Sequence, residues 1–373
     1  MRKAKQLKSL GNYSIDLESA NFSQRNAPKF AARAVRFVAI GRPMVEWDNG
    51  LYIPQGDLWL DSRRPRSVCF VSHAHSDHLG AHRRAIATQE TSVLALRRIG
   101  ADCTDVVKLG QRFDLSGAAQ LTCQPAGHVL GSAMLHVETP DGSLLYTGDY
   151  KLRPGLTTPS AQLAPADFLL MESTYGNPFF RFPAREQVVE QLIELVVNAL
   201  ADGIQPIVLG YSLGKAQEIV RTLTDAGLPV TEHGAVANIS DVYEQFGVGL
   251  GPRRRYAAAD FHSRRALDLA ERGVLVAPPQ AARSPFSQRF ERKLTIMMSG
   301  WALMKNARFR YGVDHALPLS DHADFDELIR TVELVNPKRV YTHHGFPEFV
   351  DHLKKRGWDA RLAKPDPQLQ LFD

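Results

Sequence analysis

From Gly50 onward the chain alternates short apolar runs with polar, glycine-containing loops. Leu51-Tyr52-Ile53, Leu58-Trp59-Leu60-Asp61 and Val68-Cys69-Phe70-Val71 read as strands, and Leu121 to Pro125 continues the pattern. Met134 to Thr139 and Leu144 to Asp149, separated by the turn Pro140-Asp141-Gly142, predict a hairpin, and Asp167 to Met171 is a further apolar strand. Helical spacing appears at Gln89 to Ile99. After Gly176 the style changes. Pro183 to Leu200 places Val188, Leu192, Leu195 and Val196 on one helical face, Gln205 to Leu209 is a strand, and a helix runs to about Ala226. Leu228 to Thr231 is a short strand that Pro229 confines to a strand start or a sheet edge. This βαβαβ-like stretch predicts a second domain inserted into the first. Leu294 to Met298 is expected to return to the first domain, followed by a helix Phe325 to Val335 and a strand ending near His344. The organisation is therefore α/β, with an extension at 1–45, a first domain over 46–175, an insert over 176–292 and the return over 293–373. The extension is Lys/Arg-rich with weak periodicity and is expected to be loosely ordered, with Met44 as an alternative start.

Chemistry-bearing residues collect where strands end. The run after Val71 is Ser72-His73-Ala74-His75-Ser76-Asp77-His78, in which three histidines and one aspartate fall within six residues. Solvated loop histidines would not need this density; a metal site would. His73 and His75, two apart on extended backbone, can face one ion, whereas Asp77, read as the start of a short helix, and His78 can reach a second. Asp61 either holds a ligand histidine through its free N–H or caps a turn. His128 follows the strand ending at Pro125, Asp149 leaves the hairpin, and Glu172 and His344 also stand at strand ends. His322 precedes a helix. A carboxylate placed between two cations offsets their repulsion, so Asp149 suits a dinuclear centre.

Composition narrows the class. The three cysteines, Cys69, Cys103 and Cys123, have no CxxC spacing and look like reduced core residues. No apolar run approaches a membrane span and no secretory signal is visible, so a cytoplasmic protein without a membrane partner is expected. The net charge of +5 is mild. Arginines nevertheless cluster at Arg63-Arg64, Arg83-Arg84, Arg97-Arg98, Arg253 to Arg255, and Arg308 with Arg310, which suits a polyanionic substrate as well as a solvated basic surface.

Taken together, Asp61, His73-x-His75-x-Asp77-His78, Gly127-His128, Gly148-Asp149, Glu172-Ser173-Thr174-Tyr175-Gly176, Ser212-Leu213-Gly214-Lys215-Ala216-Gln217, Asp321-His322-Ala323-Asp324 and His344-Gly345 resemble the β-CASP nucleases. The resemblance is strongest to the bacterial ligase-associated DNA exonucleases, whose neighbours are labelled mRNA 3′-end processing factors. It implies a metallo-β-lactamase αββα sandwich with an inserted β-CASP α/β cap domain. One metal would lie on His73, His75 and His128 and the other on Asp77, His78 and His344, with Asp149 bridging; zinc is the first expectation and manganese the second. The catalytic groups would be Asp77, Glu172 and His322, with a metal-activated water as nucleophile and His322 as general acid. Ser212, Gly214, Lys215 and Ser299 would contact substrate phosphate, although an ordinary capped helix and a tight turn explain the same residues. The implied activity is phosphodiester hydrolysis by a DNA exonuclease in DNA repair, in association with an ATP-dependent DNA ligase and helicase. RNA processing is the alternative, then small-molecule hydrolysis on the same fold, then a noncatalytic binding subunit. The pair His343-His344 leaves open which histidine ligates.

Overall fold

The computed structural model describes residues 44–115, 119–258 and 268–363. Nearly all of the expected extension lies outside them. Three sheets carry the described chain. The first joins six strands in chain order, Glu46–Trp47, Leu51–Ile53, Leu58–Leu60, Val68–Phe70, Arg84–Thr88 and Asp105–Val107. The second has seven, ordered Ala360–Leu362, Arg339–Gly345, Phe168–Ser173, Gly142–Tyr146, Ala133–Thr139, Gln120–Pro125 and Arg112–Asp114.

Alternation along these strands decides which side each residue serves. Leu144, Tyr146, Leu170, Leu135 and Leu121 point between the sheets and meet Ile53, Leu60, Phe70 and Ile86 of the first. Their neighbours Leu145, Leu169, Met171 and Met134 point to the other face, where Phe325, Leu328 and Val332 of the helix Phe325–Val335 cover them. On the first sheet, Ile86 faces inward while Ala85 and Ala87 face outward toward Leu94 and Ala95 of the helix Gln89–Ile99. The result is the helix-sheet-sheet-helix sandwich implied by the resemblance.

The third sheet is parallel throughout, ordered Arg253–Arg255, Val230–Glu232, Val274–Ala277, Gln205–Leu209, Lys293–Met298 and His315–Leu317. This corrects the expected return at residue 293. Lys293–Met298 pairs with Gln205–Leu209 inside the inserted sheet, and the chain rejoins the second sheet only at Arg339–Gly345. An apolar run buried on both faces fits either sheet, so the local pattern carries no information about its partner. Pro229 immediately precedes Val230–Glu232, the strand-start option. Two smaller differences concern the metal loop and the arginines. Residues 76–78 form a turn and no helix starts at Asp77. Arg253 and Arg255 are engaged by Asp241, with Glu232 and Glu244 also on Arg253, and Arg84 pairs with Asp105. These pairs leave less of the arginine charge for a polyanion. The three cysteines are free and buried.

Candidate metal centre

Sheet direction brings the predicted ligands to one edge. Gly142–Tyr146, Phe168–Ser173 and Arg339–Gly345 are mutually parallel, and Gln120–Pro125 runs the same way because both it and Gly142–Tyr146 are antiparallel to Ala133–Thr139. Their ends deliver His128, Asp149, Glu172 and His344 beside the loop that follows Val68–Phe70. Gly148 permits the last step into Asp149: its φ is +54°, and a Cβ there would sit 2.7 Å from the Ser72 side chain.

The hydrogen bonds around the histidines assign their protons. Ser72 donates its hydroxyl proton to Asp61, so its oxygen accepts from His73 Nδ1 at 2.9 Å. His75 Nε2 donates to the Leu213 carbonyl at 3.2 Å, and His128 Nδ1 donates to the Asp321 carbonyl at 2.9 Å. A carbonyl can only accept, so each ring has its proton on the outer nitrogen. The inner nitrogens are therefore bare. His75 Nδ1 lies 3.0 Å from His73 Nε2 and 3.1 Å from His128 Nε2, with no proton between them. Burial holds all three rings below the ordinary histidine value, His128 down to about 3, which keeps them neutral. Three converging lone pairs repel one another unless a cation lies among them, and their spacing is close to the roughly 3.3 Å edge of a zinc–nitrogen tetrahedron. The residues fit a metal ion.

A second group adjoins the first. His78, Asp149 and His344 bring one donor atom each within 4.8 Å of one another, as do His73, His75, His128 and Asp149. Asp149 belongs to both: its Oδ2 is 3.4 Å from His78 Nε2, 3.5 Å from His73 Nε2 and 3.9 Å from His128 Nε2. Its other oxygen is buried without a hydrogen-bond partner. Asp77 sits at the rim, its side chain 54% exposed and 3.6 Å from His78 Nε2. Of the adjacent histidines, His344 and not His343 reaches the cluster; His343 turns toward Tyr146, with ring centroids 5.6 Å apart. His344 does so from a left-handed backbone, φ +47°, uncommon outside glycine and characteristic of strained functional positions.

Asp61 shares that backbone conformation, φ +43°. It accepts from His78 Nδ1 at 2.8 Å, Tyr146 Oη at 2.6 Å and Ser72 N at 2.7 Å, as well as from the Ser72 hydroxyl. One carboxylate thus aims His78 directly and His73 through Ser72. Asp61→Asn is expected to weaken metal affinity about 10- to 100-fold, the usual effect of losing such a partner, measured by competition with a chromophoric chelator. Unchanged affinity would reduce Asp61 to a turn residue.

His322 lies beside this centre, its ring 4.5 Å from that of His128. Its Nδ1 is 2.9 and 3.1 Å from the two oxygens of fully buried Glu172. Tyr150 N and the Thr174 hydroxyl donate to Glu172 and hold it still. Burial disfavours the charged imidazole, but Glu172 and Asp149 outweigh it and raise His322 to about 10.

Two of the expected phosphate contacts, Lys215 and Ser299, are buried and engaged within the protein. Lys215 is 2% exposed, and its ammonium pairs with Asp321 at 3.2 Å. It fastens the loop carrying His322 and the carbonyl that orients His128. The Ser299 side chain is buried, capping the following turn at Trp301 N and lying 3.2 Å from Tyr311 Oη. Gly214 is needed for approach: φ is +88°, and a Cβ would meet Val129 at 2.4 Å. Its N–H is taken by Gln217 Oε1 at 2.8 Å. Ser212 is partly exposed at the start of this turn. Sequence reasoning missed Ser72, Tyr146, Asp321 and the Leu213 carbonyl. Ser72 adjoins the expected ligand His73 and Asp321 adjoins the expected acid His322, so both could have been suspected, whereas a backbone carbonyl leaves no mark in a sequence.

Bare, converging imidazole nitrogens and a shared carboxylate at the strand ends of this sandwich define a metallo-hydrolase. Residues 307–363 match the Zn-dependent metallo-hydrolase RNA specificity domain. A probable DNA ligase from Opitutus terrae is 40% identical over 330 residues, covering 88% of this chain and 32% of that protein. An RNase J-like protein of Methanocaldococcus jannaschii is 27% identical over 238 residues, 55% of this chain and 56% of its own. Transcription termination factor FttA of Pyrococcus abyssi is 33% identical over 126 residues, 33% of this chain and 19% of its own. The chain thus spans from a fifth to just over half of these relatives. Among solved structures, a protein of unknown function from Enterococcus faecalis V583 shares the fold, with TM-score 0.54, 18% identity and coverage of 80% and 79%. The chain has the metallo-β-lactamase sandwich with an inserted parallel α/β cap, and these comparisons support its resemblance to the β-CASP nucleases. Among the described residues, no helix is long and apolar enough to cross a membrane.

Proposed function

We propose that the chain is a metal-dependent nuclease that hydrolyses phosphodiester bonds, most simply as a DNA exonuclease in repair. The observation that carries this reading is the Glu172–His322 pair beside the metal cluster, since a sugar alkoxide is a poor leaving group and needs a proton. His73, His75 and His128 would hold one divalent ion and Asp77, His78 and His344 a second, with Asp149 between them and zinc suited to the nitrogen donors. Such ions supply a water acidified toward a pKa of about 7 and charge screening for the phosphodiester. The chain's own residues do the rest. Asp61 fixes the ring of His78, the Leu213 and Asp321 carbonyls fix His75 and His128, and Lys215 holds Asp321. His322, with Nδ1 committed to Glu172, gives its Nε2 proton to the departing oxygen.

The match to a DNA-ligase-named relative over most of this chain favours DNA, and an activity linked to a ligase belongs to the same reading. The RNA specificity domain and the RNase J-like relative favour an RNA-processing role as the second reading. End-labelled single- and double-stranded DNA and RNA, each with zinc or manganese, distinguish them. DNA trimmed progressively from one end is the expected result, and cleavage of RNA alone would transfer the proposal to RNA. Binding should fall steeply with salt, because phosphate contacts release counterions. Salt-insensitive binding with rapid thioester or lactam hydrolysis would replace both readings.

A further inference from the structure

Two ring contacts from His322, through Tyr175, lies an apolar pocket of about 460 Å³ that has no part in the proposed reaction. Phe179, Phe180, Trp301 and Phe346 line it together with Lys305. Three separate segments supply the rings: the loop after the Glu172 strand, the turn after Lys293–Met298 of the inserted sheet, and the residue following His344-Gly345. Phe180 packs 5.1 Å from Trp301 and 5.6 Å from Phe346. Tyr175 continues the ring contacts inward, 4.9 Å from Trp301 and 6.0 Å from His322.

We infer that this pocket binds a nucleobase of the strand being cleaved, on the leaving-group side of the scissile phosphate. The inference rests on the nuclease reading. The volume falls in the range that holds small organic ligands, about 300–1,000 Å³. Aromatic walls suit a flat, uncharged π-system, and successive bases stack on such side chains with little regard to sequence. Lys305 on the lining supplies a positive charge for a phosphate attached to that base. Phe179 is 53% exposed, leaving an aromatic face at the pocket mouth. The side follows from the chemistry. His322 protonates the departing oxygen, and the aromatic walls pack toward His322 through the buried Tyr175 ring, so the nucleotide carrying that oxygen is the one on the pocket's side of the centre.

The test moves an abasic residue to either side of the bond cut in one short oligonucleotide and compares kcat/KM. Removing the leaving-side base should cost wild-type protein about 5- to 150-fold, the span of one base–aromatic stack, and removing the base across the bond should cost little. Trp301→Leu and the more exposed Phe179→Ala should slow the base-bearing substrate and add nothing further on the leaving-side abasic one. Equal slowing of both substrates, or equal loss from either abasic position, overturns the proposal. A titration without metal separates this failure from failure of the nuclease reading. A nucleoside monophosphate should quench tryptophan fluorescence, ribose 5-phosphate should not, and Phe179→Ala should weaken the nucleotide at least about 5-fold. If no strand is cleaved, the nuclease reading falls; base-specific quenching then keeps the pocket as a nucleotide site, and its absence removes the pocket too.

Discussion

His322→Ala cleaves an oligonucleotide about 10² to 10⁴ times more slowly than the wild-type chain, the range expected for loss of a general acid. Its metal content is unchanged, because His322 Nδ1 is committed to Glu172 and the bare nitrogens of His73, His75 and His128 do not depend on it. A nitrophenyl phosphodiester, whose leaving group needs no proton, is spared most of the defect. The pH dependence has a definite sign. Glu172, held against Nδ1, favours the charged ring and raises His322 above its ordinary value, so activity is lost on the alkaline side as the ring gives up its proton. Glu172→Gln removes that support, and the alkaline limb moves to lower pH with a milder loss of rate. Stripped metal in His322→Ala, or equal slowing of both substrates, would return His322 to the ligands or to the structural framework.

Asp149→Ala loses metal from both groups, whereas His344→Ala loses it from one. The difference follows from position: Asp149 Oδ2 is within 3.9 Å of the inner nitrogens of His73, His78 and His128, while His344 belongs only to the group with His78 and Asp149. Without the carboxylate, two cations would face each other with no anion between them. The affinity loss should exceed the 10- to 100-fold expected of an outer partner such as Asp61. Metal analysis after purification without chelator, with folding checked by circular dichroism, reads the stoichiometry directly. An Asp149→Ala chain that still carries two ions would rule out the shared carboxylate.

Most of the residues gathered at the candidate metal centre are legible in the sequence because coordination restricts residue type. Histidine and aspartate recur at one strand end after another, at His73, His128, Asp149 and His344, as a site built from several strand ends requires. The strands of the sandwich are equally legible, since a face buried against a second sheet or a helix imposes alternation that survives in the residues themselves, as at Leu144, Leu145 and Tyr146.

The metal chemistry and the α/β class are therefore carried by local spacing, whereas the full donor set and the sandwich with its inserted cap are what the resemblance implies. Whatever depends on a distant partner waits for the tertiary structure. Lys293–Met298 is apolar enough for either domain, and only its pairing with Gln205–Leu209 assigns it to the insert. Lys215 resembles a phosphate contact until Asp321, far along the chain, neutralises it in the interior, because a buried ammonium must be paired. His343 and His344 are indistinguishable by type; a left-handed backbone at His344 turns one toward the metal cluster while the other packs by Tyr146. The carbonyls of Leu213 and Asp321 set which nitrogen of His75 and His128 is free, and a backbone atom, common to every residue, acquires such a role only through its place in the fold.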